Sequence, residues 1–129
     1  MRGACVVPAM LAVGVDLIEI SRIERVLQRH GKRFLERVFT RGELDYAAGR
    51  PSALATRWAA KEATAKALGT GIGAIRFSEI EVVCDHCGKP ELRLHGEAAR
   101  LAAERGLHCF VVSLSHAGGC ALATVVAQG

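Results

Sequence analysis

Between Arg57 and Gly71 the chain reads Arg-Trp-Ala-Ala-Lys-Glu-Ala-Thr-Ala-Lys-Ala-Leu-Gly-Thr-Gly, and no other stretch limits the fold so tightly. Alanine at 59, 60, 63, 65 and 67 makes a strong helix former. Its side chains are too small to hold neighbours away, so other backbone, or a ligand, can come close. Pro51-Ser52 opens the helix, and Gly69-Thr70-Gly71-Ile72-Gly73 follows its end near Leu68 as a flexible exit rich in N–H donors. Glu62 and Lys66 are four residues apart and share one face, with β-carbons about 5–6 Å from each other. Two readings stay open for them. One is a solvated Glu–Lys pair, worth roughly 0.2–0.5 kcal/mol. The other is a carboxylate and an ammonium that handle a metal-bound, highly charged anion. The helix alone favours the first, and the rest of the chain reverses that.

The 129 residues fit one compact domain, burying about two-thirds of its unfolded surface. Half of them are hydrophobic, which is apolar for so short a chain. Either the core is unusually complete or part of the surface is buried against copies of the same chain. No run approaches the ~20 apolar residues of a membrane span. Pro8 interrupts the apolar N-terminus, and Asp16 and Glu19 follow too soon for a secretory leader. Residues 1–9 are expected to be a loose extension, residues 10–127 the domain, and the cytoplasm the location. The formal net charge of +4 favours an anionic partner without naming it.

Five cysteines (Cys5, Cys84, Cys87, Cys109, Cys120) are odd in number and mostly lie in apolar stretches, as reduced thiols do. Cys84-Asp85-His86-Cys87 has zinc-ligand spacing, but no second pair accompanies it, only the isolated His95 and His108. With Gly88, Lys89 and Pro90 it reads as a polar turn between two strands.

Met10 to Ile18 is an apolar run read as a buried strand. A helix from Ser21 to His30 is broken by Gly31, and Lys32 to Val38 adds a further turn or two. Thr40-Arg41-Gly42-Glu43 has capping-box spacing and starts a short helix through about Ala48. Ser78 to Cys84 and Glu91 to His95 form a hairpin, Gly96 to Arg105 a helix. His108 to Ser115 and Cys120 to Ala127 are two last strands, joined by His116-Ala117-Gly118-Gly119. Helices mixed with a largely antiparallel sheet make the fold class α+β.

Three further features carry chemistry. Asp16, alone in an apolar strand, needs a cation or several donors. It either caps the following helix or ligates Mg²⁺, with Glu62 as the natural second ligand. Arg22, Arg25 and Arg29, at i, i+3 and i+7, form a narrow stripe with few acids on its own face. Such a stripe is commonly a solvated face, yet here it is free to meet an acidic partner. Ser113-Leu114-Ser115-His116 ends an apolar strand before a glycine pair, where His116 and the hydroxyls suit a phosphate or a structural role.

Gly14-Val15-Asp16-Leu17-Ile18-Glu19-Ile20-Ser21-Arg22-Ile23, Phe39-Thr40-Arg41-Gly42-Glu43-Leu44, Arg57-Trp58-Ala59-Ala60-Lys61-Glu62-Ala63, Lys66-Ala67-Leu68-Gly69-Thr70-Gly71, Gly88-Lys89-Pro90 and Ser113-Leu114-Ser115-His116 occur in a recognisable order. Together they resemble the holo-[acyl-carrier-protein] synthase family of 4′-phosphopantetheinyl transferases, in register from about residue 12 to 127. The resemblance implies transfer of phosphopantetheine from coenzyme A to a serine of an acidic apo acyl carrier protein. Adenosine 3′,5′-bisphosphate is released, in service of fatty acid biosynthesis. It implies Mg²⁺, or Mn²⁺ in its place, held by Asp16 and Glu62. Glu62 then helps to deprotonate the carrier serine, and Lys66 neutralises or protonates the leaving phosphate. Arg57, Lys66, Gly69, Thr70, Gly71 and His116 are implied to bind coenzyme A, and Arg22, Arg25 and Arg29 the carrier. The resemblance also implies, from the family's small members, a homotrimer with a site at each subunit interface. The N-terminal extension and the two hairpin-turn cysteines depart from the pattern.

A nucleic-acid module would use the basic charge, but aromatics are 5% and no stacking or helix-turn-helix motif occurs. A metal-dependent nucleotide phosphohydrolase is the stronger rival, since it uses the same acids and lysine without needing the arginine stripe. A purely structural trimer leaves Glu62 and Lys66 unexplained.

Overall fold

A computed structural model describes residues 10–129; the expected extension over residues 1–9 lies outside them. Apolar residues lie on nearly every side of the Pro51–Leu68 helix (α3), and it accordingly takes the centre of the molecule. Ala55, Ala59, Ala60 and Ala63 are fully buried along it. The first strand, β1 (Leu11–Glu19), packs against α3. So does the last, β5 (Cys120–Gln128), through Ala121, Ala123 and Val125. Small residues facing small residues let sheet and helix backbones approach closely.

β1, β5 and β4 (Cys109–Ala117) form an antiparallel three-stranded sheet with β5 in the middle. β2 (Ile80–Cys84) and β3 (Pro90–Leu94) form a separate antiparallel hairpin. The expected antiparallel α+β architecture is therefore present, split into two sheets. The hairpin's first strand is preceded by a 3-10 turn at Phe77–Glu79.

Between β1 and α3 the chain forms α1 (Ile20–Val38), kinked where Gly31 leaves helical geometry (φ 48°, ψ −124°), as the glycine break predicts. Phe34 from beyond the kink packs on Trp58, which stacks on Phe77 with ring centroids 4.5 Å apart. That aromatic row fastens α1 to α3. α2 (Arg41–Ala47) starts at the expected capping box: Thr40 Oγ1 accepts the Glu43 N–H, and Glu43 accepts the Thr40 N–H. α4 (Gly96–Glu104) closes a smaller core with Leu68, Ile75, Ile80 and Leu107.

One connection differs from expectation. β4 continues through Ala117, and only Gly118-Gly119 turns the chain, both at positive φ (58° and 79°). That two-residue turn suits the twist of a hairpin, and glycine adopts its positive φ values at the least cost. His116 is thus a strand residue paired with Ala121, not part of a loop of free N–H groups.

Candidate active site

Gly14 is where the site is assembled. It lies in β1 directly against α3, so close that a methyl group there would clash with the Ala63 carbonyl oxygen and crowd the Ala67 nitrogen. No other residue type allows this approach. Two residues on, Asp16 arrives beside the helix face that carries Glu62 and Lys66. The slim helix accepts backbone at close range, as its alanines predict.

Lys66 donates from Nζ to the Val15 carbonyl oxygen (2.9 Å) and to Asp16 Oδ1 (3.2 Å). The i,i+4 spacing points to Glu62 as its neighbour; the ion pair is instead with Asp16, across 50 residues of sequence. The Lys66 side chain is 55% exposed and that of Asp16 18%, so both remain reachable from solvent. Glu62 is half-buried. Burial pushes its carboxyl above the ordinary value of 4.5, and the Asp16 charge adds to the push. Lys66 and Arg22 pull it partly back. Two carboxylates thus share one spot with incomplete compensation, the condition under which an oxygen-seeking cation is favoured.

A place that favours an anion lies nine residues before Lys66 on α3, about 13–14 Å along the helix axis. Arg57 is 5% exposed, clamped by Nη1 on Thr56 Oγ1 (3.0 Å) and Nη2 on Cys84 Sγ (3.4 Å), with its guanidinium 4.2 Å from the Tyr46 ring centroid. Its Nε has no hydrogen-bond partner. A buried donor left unpaired is costly unless a ligand completes it. Arg57, Arg50, Ser115 and His116 line one cavity of about 250 Å³. His116 therefore stands with Arg57, not with Lys66, within one chain. Gly69 caps α3 in the left-handed region (φ 74°), and Thr70 bonds back to Ala65. The exit then folds into a turn closed by an Ile72–Ile75 bridge.

Arg22, Arg25 and Arg29 line a shared concavity on α1 with Val26, so the stripe is spatially real. Its apolar side is Ile23, which is buried, and Leu27, which packs on the core. Arg22 also reaches the site electrostatically, through Glu62.

Sequence reasoning missed the pair that holds this region together. Lys61 Nζ donates to Glu43 Oε1 (2.7 Å), the Phe77 carbonyl oxygen (3.0 Å) and the Ile80 carbonyl oxygen, which uses all three ammonium protons. Glu43 also accepts the Thr40 and Val82 N–H groups (both 2.9 Å). Both side chains are fully buried. Burial pulls the Lys61 ammonium below its ordinary value, and Glu43 opposes that pull most strongly. The capping box was the only sequence signal: it located Glu43 and left its second task unseen.

Residues 12–123 match the family model described as the 4′-phosphopantetheinyl transferase superfamily. A holo-[acyl-carrier-protein] synthase of Herpetosiphon aurantiacus is 50% identical over 127 residues, spanning 93% of this chain and 100% of that protein. The crystal structure of the holo-[acyl-carrier-protein] synthase from Neisseria meningitidis is 38% identical and superposes with a TM-score of 0.83, covering 92% of this chain and 98% of that one. That of the Helicobacter pylori enzyme, in complex with coenzyme A, is 31% identical with a TM-score of 0.82, covering 89% and 98%.

Proposed function

The chain belongs to the 4′-phosphopantetheinyl transferase superfamily, and from that premise we propose that Asp16, Glu62 and Lys66 are the reaction centre of an enzyme that transfers the 4′-phosphopantetheine group of coenzyme A to a serine of apo acyl carrier protein. The observation that carries this is the meeting of the three groups where Gly14 lets β1 touch α3. In the reaction the serine oxygen attacks the pantetheine-side phosphorus, the pyrophosphate bond breaks, and adenosine 3′,5′-bisphosphate leaves.

Asp16 and Glu62 fit a hard divalent ion, because both offer oxygen alone and Glu62 is held above its ordinary value by burial and by Asp16. Mg²⁺, or Mn²⁺, bound there supplies charge neutralisation to a pyrophosphate. Glu62, held above its ordinary value by burial and by Asp16, is suited to accept the serine proton directly or through water. Lys66 holds Asp16 in place and presents an exposed ammonium to the leaving phosphate. Arg57, with its free Nε, and His116 take a further phosphate of coenzyme A, while Gly69, Thr70 and Gly71 border the bound molecule at the helix exit. Arg22, Arg25 and Arg29 receive the acidic carrier.

A homotrimer is part of this reading. Leu11, Val13, Val15 and Leu17 of β1, Val111 of β4, and Leu122 and Val126 of β5 are exposed, which makes the outer face of the three-stranded sheet an apolar patch that a monomer would leave wet. Covering it with copies brings a neighbour's strands to the site. The four described cysteines are free thiols, in keeping with a cytoplasmic enzyme, and no helix among the described residues is long and apolar enough to cross a membrane.

The test is direct. Incubation with coenzyme A, Mg²⁺ and an apo carrier should add one phosphopantetheine to a carrier serine, read by mass spectrometry, and chelation should stop it. Coenzyme A cleavage without carrier modification would make the chain a phosphohydrolase instead.

A further inference from the structure

The turn between β2 and β3 holds a group that the transferase reading does not use. The ligand atoms of Asp85, His86 and Cys87 all lie within 4.8 Å of one another. Its backbone is fixed: Asp85 N–H donates to the Lys89 carbonyl oxygen, Gly88 N–H to that of Asp85 (both 2.9 Å), and Gly88 supplies a positive φ of 83°. The Asp85 carboxylate is fixed as well, since Oδ1 accepts the N–H groups of Cys87 (2.8 Å) and Lys89 (2.9 Å). Both bonds fall on one oxygen, which leaves Oδ2 for another partner. His86 and Cys87 are exposed, and the Cys87 thiol is free.

We infer that Asp85, His86 and Cys87 form a binding site for a borderline-soft divalent cation of the zinc type, separate from the oxygen-only pair Asp16 and Glu62. Zinc takes one oxygen, one nitrogen and one sulfur readily, at bond lengths that set ligand–ligand separations of roughly 3.3–3.6 Å in a tetrahedron. The ligand atoms lie within 4.8 Å of one another, so binding requires the side chains to close on the ion. Mg²⁺ does not compete here, because it wants oxygen ligands throughout. On binding, the Cys87 thiol releases its proton to solvent and the thiolate bonds to the metal. Thiolate and carboxylate then balance the two positive charges. The spacing of Cys84 and Cys87 suggests a paired-cysteine site, but the fold assigns Cys84 elsewhere: its sulfur accepts from Arg57 Nη2. The fourth position is therefore left to water.

The experiment is a Co²⁺ titration of the intact chain with Mg²⁺ in excess to occupy the oxygen-only pair. A thiolate-to-cobalt charge-transfer band should grow to one ion per chain and vanish on addition of Zn²⁺. Cys87→Ser and His86→Ala should abolish it, and Cys84→Ser should keep it. Competition with a chromogenic chelator should show zinc affinity falling at least about tenfold in Cys87→Ser, no less than the loss of an outer-shell partner causes. Zinc should raise the melting temperature of the wild type and not that of Cys87→Ser. Absence of the band in the wild type overturns the proposal. So does a band that persists in Cys87→Ser, or one that Cys84→Ser removes.

Discussion

Lys61 and Lys66 lie five residues apart on one helix, each bonded to a carboxylate distant in sequence, at 2.7 and 3.2 Å. Five residues turn about 140° around the axis, so they face nearly opposite ways. Lys61 points into the core, where Glu43 and two carbonyl oxygens take every proton it has. Lys66 points out, half-exposed, over an acid that a second acid crowds. The difference teaches which ion pairs are free to act. A pair with all donors satisfied and no water access can only hold the fold, and its loss leaves an uncompensated buried charge. A pair with spare valence and solvent access can exchange its partner for a ligand.

The largest effect expected is at the closed pair. Lys61→Met should cost about 3–5 kcal/mol, because it strands the Glu43 carboxylate in the core, and the urea midpoint should fall accordingly. Adding Glu43→Gln should recover part of the loss, since it removes the stranded charge while its single amide oxygen still accepts from one of the Thr40 and Val82 N–H groups, which donate to different carboxylate oxygens in the wild type. A single variant costing less than about 1 kcal/mol, the level of an exposed pair, would break the contrast.

Next comes the open pair. Lys66→Ala should lower kcat by about 10²–10³-fold, the size of one lost transition-state donor. Its folding stability should move by no more than about 0.5 kcal/mol, as for exposed pairs. Steady-state kinetics and melting read the two separately. A parallel fall in both would make Lys66 a structural lysine like Lys61.

The contrast also explains what was legible beforehand. Whatever leaves a local signature was legible: the helix from Pro51 to Leu68, the break at Gly31, the capping box at Thr40 and the hairpin turn after Cys84 are written in propensities and short spacings. A lone acid in an apolar strand already suggested Asp16 and Glu62 as partners, the resemblance gave them a shared role, and the close packing of β1 on α3 puts the Asp16 charge within reach of Glu62. Lys61 with Glu43 left no such trace, because the two are 18 residues apart on different helices and only the packing of α2 against α3 makes them meet. The ion pair of Lys66 with Asp16 was hidden for the same reason, behind the nearer Glu62. His116 was misplaced because a two-glycine hairpin turn and a longer loop read alike in sequence.

The smallest expected effect is the sharpest test, for it concerns Glu62, next to Lys61 in the chain and opposite in sign. Its folded value lies above the ordinary 4.5, raised by burial first and by Asp16 second. Between those two values the folded chain holds more protons than the unfolded one, so stability falls as pH rises through that window. Below about pH 4.5 the penalty is absent, and above the folded value it is complete. Glu62→Gln should therefore stabilise the metal-free protein at pH 7–8 by about 0.5 kcal/mol, after solvent screening of a half-exposed group. At pH 4 wild type and variant should match. Mg²⁺ should raise the wild-type urea midpoint at pH 8 and leave the variant nearly unmoved, while the variant's turnover collapses. A variant less stable than wild type at pH 8 without metal would place Glu62 with Lys61 among the groups that hold the fold, and remove the charge imbalance on which the cation site rests.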